Sequence, residues 1–298
     1  MVKLRKFLRW ASIVIVVLAF MFAGWSAYFT WQYTEATHRP VGPMPMDFPF
    51  PMEAVHFHAL DNLLIAGWLV PCPGATRVVV LLHGAKRNRL ELVARARLLR
   101  EHGYAVLLYD ARGCGESEGN VLAYGFQEPN DLLGAMEYLR GRGFHQFGLL
   151  GFSQGGLTIA NAASHLSDLC WVVLECTPSD AFLTFDHDIR NIYGVSSQVV
   201  GIFVFPTMEW RLGFSRKDYI PPRDNVSNLH CLLLVIAGDS DIRVLPSEAR
   251  DLFDHANHPK SFWLIPGAPH TNFYPTRPNG YRKEYERTLL QFIDQSAK

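Results

Sequence analysis

A chain of 298 residues, 49% of them hydrophobic and 19% charged, has enough apolar material for a sizeable core, which excludes a disordered or fibrous protein. Lysine plus arginine and aspartate plus glutamate number 28 each, so no global field points to nucleic acid or to an acidic partner. The five cysteines, Cys72, Cys114, Cys170, Cys176 and Cys231, are odd in number and show no C-x-x-C spacing. They read as packing residues, with Cys72 and Cys231 the one conceivable bridge if the domain faces an oxidising compartment.

Charge is informative only at the start of the chain. Lys3, Arg5, Lys6 and Arg9 precede an uncharged stretch from Trp10 to Trp31. As a helix that stretch would span about 33 Å, against about 30 Å for a bilayer core. Trp10, Trp25, Tyr28, Trp31 and Tyr33 cluster near its two ends, as interfacial belts do. The pattern predicts a cytoplasmic basic tail over 1–9, a transmembrane signal-anchor over 10–31, and the remainder across the membrane, in the periplasm or in a eukaryotic lumen. The competing reading is a cleaved signal peptide, with Gly24-Trp25-Ser26 as a small-x-small site before Ala27. Residues 32–54 hold Pro40, Pro43, Pro45, Pro49 and Pro51 and predict an extended linker.

The folded domain is expected over 55–298. His56 to Leu60 and Leu64 to Val70, with Asp61-Asn62 between them, predict an antiparallel hairpin. Short continuously apolar runs follow at Val78–Leu82, Ala105–Tyr109, Phe147–Leu150, Trp171–Leu174, Leu232–Ile236 and Phe262–Ile265. Such runs suit strands covered on both faces. Helical periodicity marks Leu90–His102, Asn130–Arg142, Gln154–His165, Ser247–His255 and Tyr281–Gln295. The alternation predicts an α/β fold with a mainly parallel, doubly wound sheet. One interval, about 180–228, is too long for a simple connection and rich in aromatics, including Phe205 and Trp210. It is expected to be a helical lid, with those two residues as candidate substrate contacts. Asp186-His187-Asp188 within it reads as a solvated loop.

The chemistry sits at strand ends. Gly151-Phe152-Ser153-Gln154-Gly155 is a G-x-S-x-G between a strand and a helix, the setting in which a sharp turn exposes a serine hydroxyl. Asp239 and Asp241 follow the strand ending at Ile236, and His270 follows the strand ending at Ile265. The order Ser, Asp, His at the carboxyl ends of parallel strands supplies a nucleophile, an orienting acid and a base. His83-Gly84-Ala85 ends another strand. The backbone N–H groups of Ala85 and Gln154 are the expected oxyanion donors, and His83 is read as a turn residue. Asp110 and Arg112 are expected to pair with each other and shape the site.

Together, His83-Gly84, Asp110-x-Arg112-Gly113-x-Gly115-x-Ser117, Gly151-x-Ser153-x-Gly155, Gly238-x-x-Asp241 and Gly267-x-x-His270 resemble the α/β-hydrolase superfamily. The N-terminal anchor and Arg211-Leu212-Gly213-Phe214 make the chain similar to its membrane-anchored Bem46-like branch. The resemblance implies an α/β-hydrolase fold with a lid. It also implies Ser153 as nucleophile, His270 as general base and acid, Asp241 as the catalytic acid, and Asp239 as a neighbour holding the loop. The expected activity is cleavage of a carboxylic ester or thioester, with no metal or organic cofactor. The partners are a small-molecule or acyl substrate and a membrane, with no nucleic acid, and the oligomeric state stays open. A serine exopeptidase on the same fold and a catalytically silent binding protein are the alternatives.

Overall fold

The computed structural model describes residues 2–271, 274 and 281–297; of the expected domain, residues 272, 273, 275–280 and 298 lie outside that description. Its centre is one eight-stranded sheet in the order β1-β2-β4-β3-β5-β6-β7-β8. β1 (Glu53–His58) and β2 (Leu64–Val70) form the antiparallel hairpin, turning through Asn62 at φ 67°. Asparagine tolerates that left-handed conformation because its short side chain bonds locally. β3 (Arg77–Leu82), β4 (Ala105–Tyr109), β5 (Gln146–Phe152), β6 (Leu169–Glu175), β7 (Leu232–Gly238) and β8 (Lys260–Ile265) run parallel.

The apolar runs are explained by burial on both faces. In β3, Val78, Val80 and Leu82 point into one core layer, while Val79 and Leu81 point into the other. α1 (Val2–Thr34) precedes the sheet. α2 (Val93–Glu101) covers the second of those layers; α3 (Pro129–Gly141) and α4 (Gln154–Ala162) cover the first. The insertion between β6 and β7 contains α5 (Ala181–Tyr193), α6 (Ser197–Leu212) and the short α7 (Pro222–Asn225). α8 (Pro246–His255) returns to the first face and α9 (Tyr281–Asp294) to the second.

The insertion is a helical cap, as expected, but Asp186, His187 and Asp188 lie on α5 rather than in a solvated loop. Each of the three finds its own partner: Asp186 binds Arg190, Asp188 binds Arg243, and His187 lies against Glu248. The N-terminal segment also differs from expectation. α1 continues beyond residue 31 to Thr34, and its last turns are not free of the domain. Phe29, Ser26, Thr30 and Thr34 are buried against the cap, whose small core joins Phe29 to Phe185, Ile189, Val204 and Met208. The proline-rich stretch is extended but strapped down. Glu35 and Thr37 bridge to Val121 and Cys114, and Phe48, Phe50 and Met52 pack on the second core layer.

Below the sheet's carboxyl edge, Arg95 of α2 and Glu175 of β6 form a fully enclosed ion pair with Nη2–Oε2 2.6 Å. Tyr285 of α9 donates its hydroxyl to the same carboxylate, and the guanidinium lies over the rings of Tyr274 and Tyr285. Removing one partner of a buried pair strands the other charge. Arg95→Leu is therefore expected to destabilise the domain by about 3–5 kcal/mol in a denaturation experiment. Adding Glu175→Gln, which removes the stranded charge yet keeps an acceptor for Tyr285, is expected to restore a large part of that loss.

Candidate active site

Ser153 occupies the turn from β5 into α4 at φ 52°, ψ −111°, a region that non-glycine residues avoid. The turn is fixed from both sides. The Ser153 N–H donates to the Glu175 carbonyl at 2.8 Å, and the Ser153 carbonyl accepts from the Leu157 N–H at 3.0 Å. Glycine is obligatory at its flanks. A Cβ at Gly155 would stand 2.1 Å from the Leu82 carbonyl oxygen, and one at Gly151 would stand 2.5 Å from the Gly155 carbonyl carbon. Both obstacles are backbone and cannot rotate away.

The turn presents the Ser153 hydroxyl to His270, with Oγ 3.0 Å from Nε2. On its other side, His270 Nδ1 is 2.7 Å from Asp241 Oδ2. Asp241 is an acceptor only, so Nδ1 carries the proton and Nε2 is free to accept from the serine hydroxyl. The carboxylate cannot swing, because its second oxygen accepts from the N–H groups of Arg243 and Val244, both at 2.9 Å. Asp239 does not reach the imidazole. Its Oδ1 accepts from the Gly267 N–H at 2.5 Å, tying the loop after β7 to the loop that carries His270. Cys176 lies close to His270 and Asp241. Burial pushes its thiol well above the usual range, so it remains protonated behind the pair.

Ala85 and Gln154 line the same cavity as Ser153. As the first residue of α4, Gln154 has an N–H with no partner inside the helix. The loop bearing Ala85 is held rigidly. His83 Nδ1 donates to the Gly84 carbonyl at 2.8 Å, while its Nε2 accepts from the Ala111 N–H at 3.0 Å, which makes His83 a structural turn residue. The Gly84 N–H donates to Glu91, and Lys86 adopts φ 58°.

Asp110 and Arg112 do not pair with each other, contrary to expectation. Asp110 binds Arg89 at 3.0 Å, while Arg112 forks to Asp61 and Asp131, both at 2.7 Å. Gly115 explains the separation: its bare backbone folds over the Asp110 carboxylate, where a Cβ would lie 2.1 Å from Oδ2. Phe205 and Trp210 are also displaced from their expected role. Phe205 packs behind Phe182 and Phe185, with ring centroids 5.5 and 5.4 Å away, and Trp210 is 85% exposed on the outside of α6. The apolar cavity beside Ser153 is walled by Phe126, Leu157, Phe182, Phe185, Met208 and Leu212.

Several site residues carry no sequence signal. Tyr33, from the end of α1, lines the cavity, stacks on Tyr124 at 4.7 Å and donates to Asp188 at 3.1 Å. Glu128 accepts from the N–H groups of Ala123 and Gly125 and from the side-chain amide of Gln154, fixing the loop that holds Tyr124. Arg243 reaches the cavity from the Asp241 loop and binds Asp188 at 2.9 Å. A second, wetter compartment of about 370 Å³ opens from Ser153 and His270 past Lys86, Arg87, Ile192 and Arg243.

That strand order, with serine, carboxylate and histidine on loops at its carboxyl edge, defines an α/β hydrolase. The chain belongs to that family: residues 79–290 match the model described as "Alpha/beta hydrolase family". It is similar to the uncharacterized protein YqkD of Bacillus subtilis, at 24% identity over 77% of this chain and 75% of YqkD. In structure it is similar to the esterase Pf2001 of Pyrococcus furiosus, with TM-score 0.71 and 21% identity over 88% of this chain and 96% of that one. It is also similar to the α/β hydrolase GrgF of Penicillium, with TM-score 0.64 and 19% identity over 83% of this chain and 99% of that one.

The two carboxylates near His270 predict different losses. Asp241→Asn lets the imidazole adopt the wrong tautomer and is expected to lower kcat on an activated ester by about 10³ to 10⁴. Asp239→Asn only loosens the bracing of Gly267 and is expected to cost far less; steady-state rates of the two purified variants make the comparison.

Proposed function

We propose that this hydrolase is a membrane-anchored serine enzyme that cleaves a carboxylic ester or thioester, with an acyl chain as the apolar part of its substrate. The observation that carries the reading is the unbroken relay from Asp241 through His270 to Ser153, standing between an apolar pocket and a wetter vestibule. Ser153 Oγ attacks the acyl carbonyl carbon while His270 Nε2 takes the hydroxyl proton. Asp241 holds the imidazole and stabilises its charged form. The N–H groups of Ala85 and Gln154 receive the developing oxyanion, and the tetrahedral intermediate collapses as His270 returns the proton to the departing alcohol or thiol. Water, deprotonated by the same histidine, then releases the acid from the acyl-enzyme. The apolar pocket under the cap, with about 30 Å³ of free volume, is assigned to the acyl chain and the vestibule of about 370 Å³ to the leaving group.

The exopeptidase alternative needs an unpaired carboxylate in the cap to hold a peptide amine. Asp186, Asp188 and Glu209 are each neutralised internally, by Arg190, Arg243 and Arg216. The esterase reading is therefore preferred, in keeping with the activity that the name of Pf2001 gives that neighbour.

α1 is long and apolar enough to cross a membrane, a property shared by anchors and signal sequences. The uncleaved anchor is supported by its packing. Cleavage before Ala27 would remove Trp25 and Ser26, which lies fully buried against α6. The basic residues of 1–9 favour a cytoplasmic N-terminus and a hydrolase domain in the periplasm or lumen. A reporter active only after export, fused at Lys298, is expected to be active, and N-terminal sequencing of the mature protein is expected to find residues before Ala27.

Ser153→Ala is expected to abolish labelling by a fluorophosphonate probe without loss of fold; full labelling of a folded variant would refute the assignment. Met208→Trp fills the apolar pocket and is expected to shift the preference among p-nitrophenyl acyl esters to shorter chains, each excluded methylene weighing about 1–3 kcal/mol. Trp210→Ala, on the outer surface, is expected to leave the chain-length profile unchanged.

A further inference from the structure

α1 and α6 lie side by side and run in the same direction. Phe22 stacks on Phe203 at 5.2 Å, Ser26 Oγ donates to the Phe203 carbonyl at 2.6 Å, and Thr30 Oγ1 lies 2.8 Å from Thr207 Oγ1. Arg211 Nε donates to Thr34 Oγ1 at 2.7 Å. α5 descends the other way, bringing Tyr193 to within 5.9 Å of the Trp25 ring. The tip of the α5–α6 hairpin is thus carried back along α1, toward the basic tail and away from the catalytic domain.

That tip has the surface of a lipid-facing element. From Asn191 to Met208 the sequence contains no Asp, Glu, Lys, Arg or His. Val199 is 66% and Ile202 75% exposed, while Val200 and Val204 are buried in the small core that the cap shares with Phe29 of α1. A helix with its outer face in water carries charge there; this one carries aliphatic side chains on both faces. The polar groups between the helices, Ser26, Thr30 and Thr207, are all satisfied by one another or by backbone, as lipid requires. Arg190 is the one exposed charge over 181–208; it is paired with Asp186, whose carboxylate also accepts from Ser196 and from the Ser197 N–H, so the tip carries one neutral, internally satisfied ion pair. At the other end, Trp31, Trp210 and Arg211 form a belt, with the guanidinium 3.9 Å from the Trp31 ring and Trp210 exposed beside it.

We propose that the α5–α6 hairpin tip is inserted into the bilayer alongside α1, so that the cap is a second membrane element and the catalytic cavity opens at the headgroup level. The proposal rests on α1 being an uncleaved anchor. With Trp31 at the interface, Phe22 and its partner Phe203 lie about 14 Å into the hydrocarbon, and Val199 and Ile202 lie at that depth or deeper. Tyr33, two residues past the belt, lines the cavity beside Ser153. The cavity wall thus lies within one helical turn of the interfacial belt.

The test uses the full chain in vesicles of phosphatidylcholine and phosphatidylglycerol. p-Acetylphenylalanine, placed singly at Ile202, Val16 or Leu60 and coupled to a hydroxylamine nitroxide, leaves the native cysteines untouched. All three positions are at least 47% exposed, so the label displaces no core residue. The expected result is that nitroxides at Ile202 and Val16 collide with oxygen in preference to a water-soluble nickel chelate, while the one at Leu60 shows the reverse. An oxygen-exposed Val16 with a chelate-exposed Ile202 would overturn the insertion while leaving the anchor intact. An Ile202 label shielded from both reagents would overturn it in favour of a protein contact, such as a second copy. A chelate-exposed Val16 would sink the anchor and the insertion together.

Discussion

The backbone of Ser153 is held in a left-handed conformation because α4 must leave β5 at a sharp angle while Gly151 and Gly155 pack against backbone with no room for a side chain. Such a conformation costs on the order of 1–3 kcal/mol and persists only where the surroundings over-determine it. Here they do. The N–H of Ser153 is bound to β6, its carbonyl to α4, and the adjacent Glu175 carboxylate to Arg95 and Tyr285 from the opposite face. The hydroxyl then projects above the sheet edge, where loops from β7 and β8 also end.

Around that turn, carboxylates fix loops rather than adding simple stability. Asp241 is locked by two backbone N–H groups, Asp239 braces the Gly267 loop, and Glu128 gathers the Ala123–Gly125 loop and the Gln154 side chain. Arg112, forked between Asp61 and Asp131, joins the β1–β2 turn to α3. Each carboxylate satisfies several donors at once, which fixes a loop more firmly than a single contact would.

The N-terminal helix is part of the catalytic domain's wall as well as a candidate membrane span. Its last turns share a core with the cap, and Tyr33 reaches the cavity through Tyr124 and Asp188. Anything that shifts the helix along its axis shifts one wall of the pocket. This links the placement of α1 with the shape of the site, through packed aromatic rings rather than through a flexible tether.

The sequence by itself determined the fold class, the strands and helices of the sheet layers, and the positions of Ser153, Asp241 and His270. These follow from local rules: doubly buried strands are continuously apolar, and sharp turns at strand ends need glycine in fixed places. The choice of Asp241 over Asp239 comes from the resemblance to the α/β-hydrolase pattern, in which the second aspartate is the acid, and not from the residues alone. Only the tertiary structure decided that Asp110 binds Arg89 while Arg112 binds Asp61 and Asp131, that Phe205 and Trp210 face away from the cavity, and that Tyr33, Glu128 and Arg243 belong to the site. The reason is common to all of them. Which of two charges pairs, and which face of a lid helix turns inward, depends on elements far apart in the chain; in α6 both faces are apolar, so periodicity leaves no mark of the side that meets the domain.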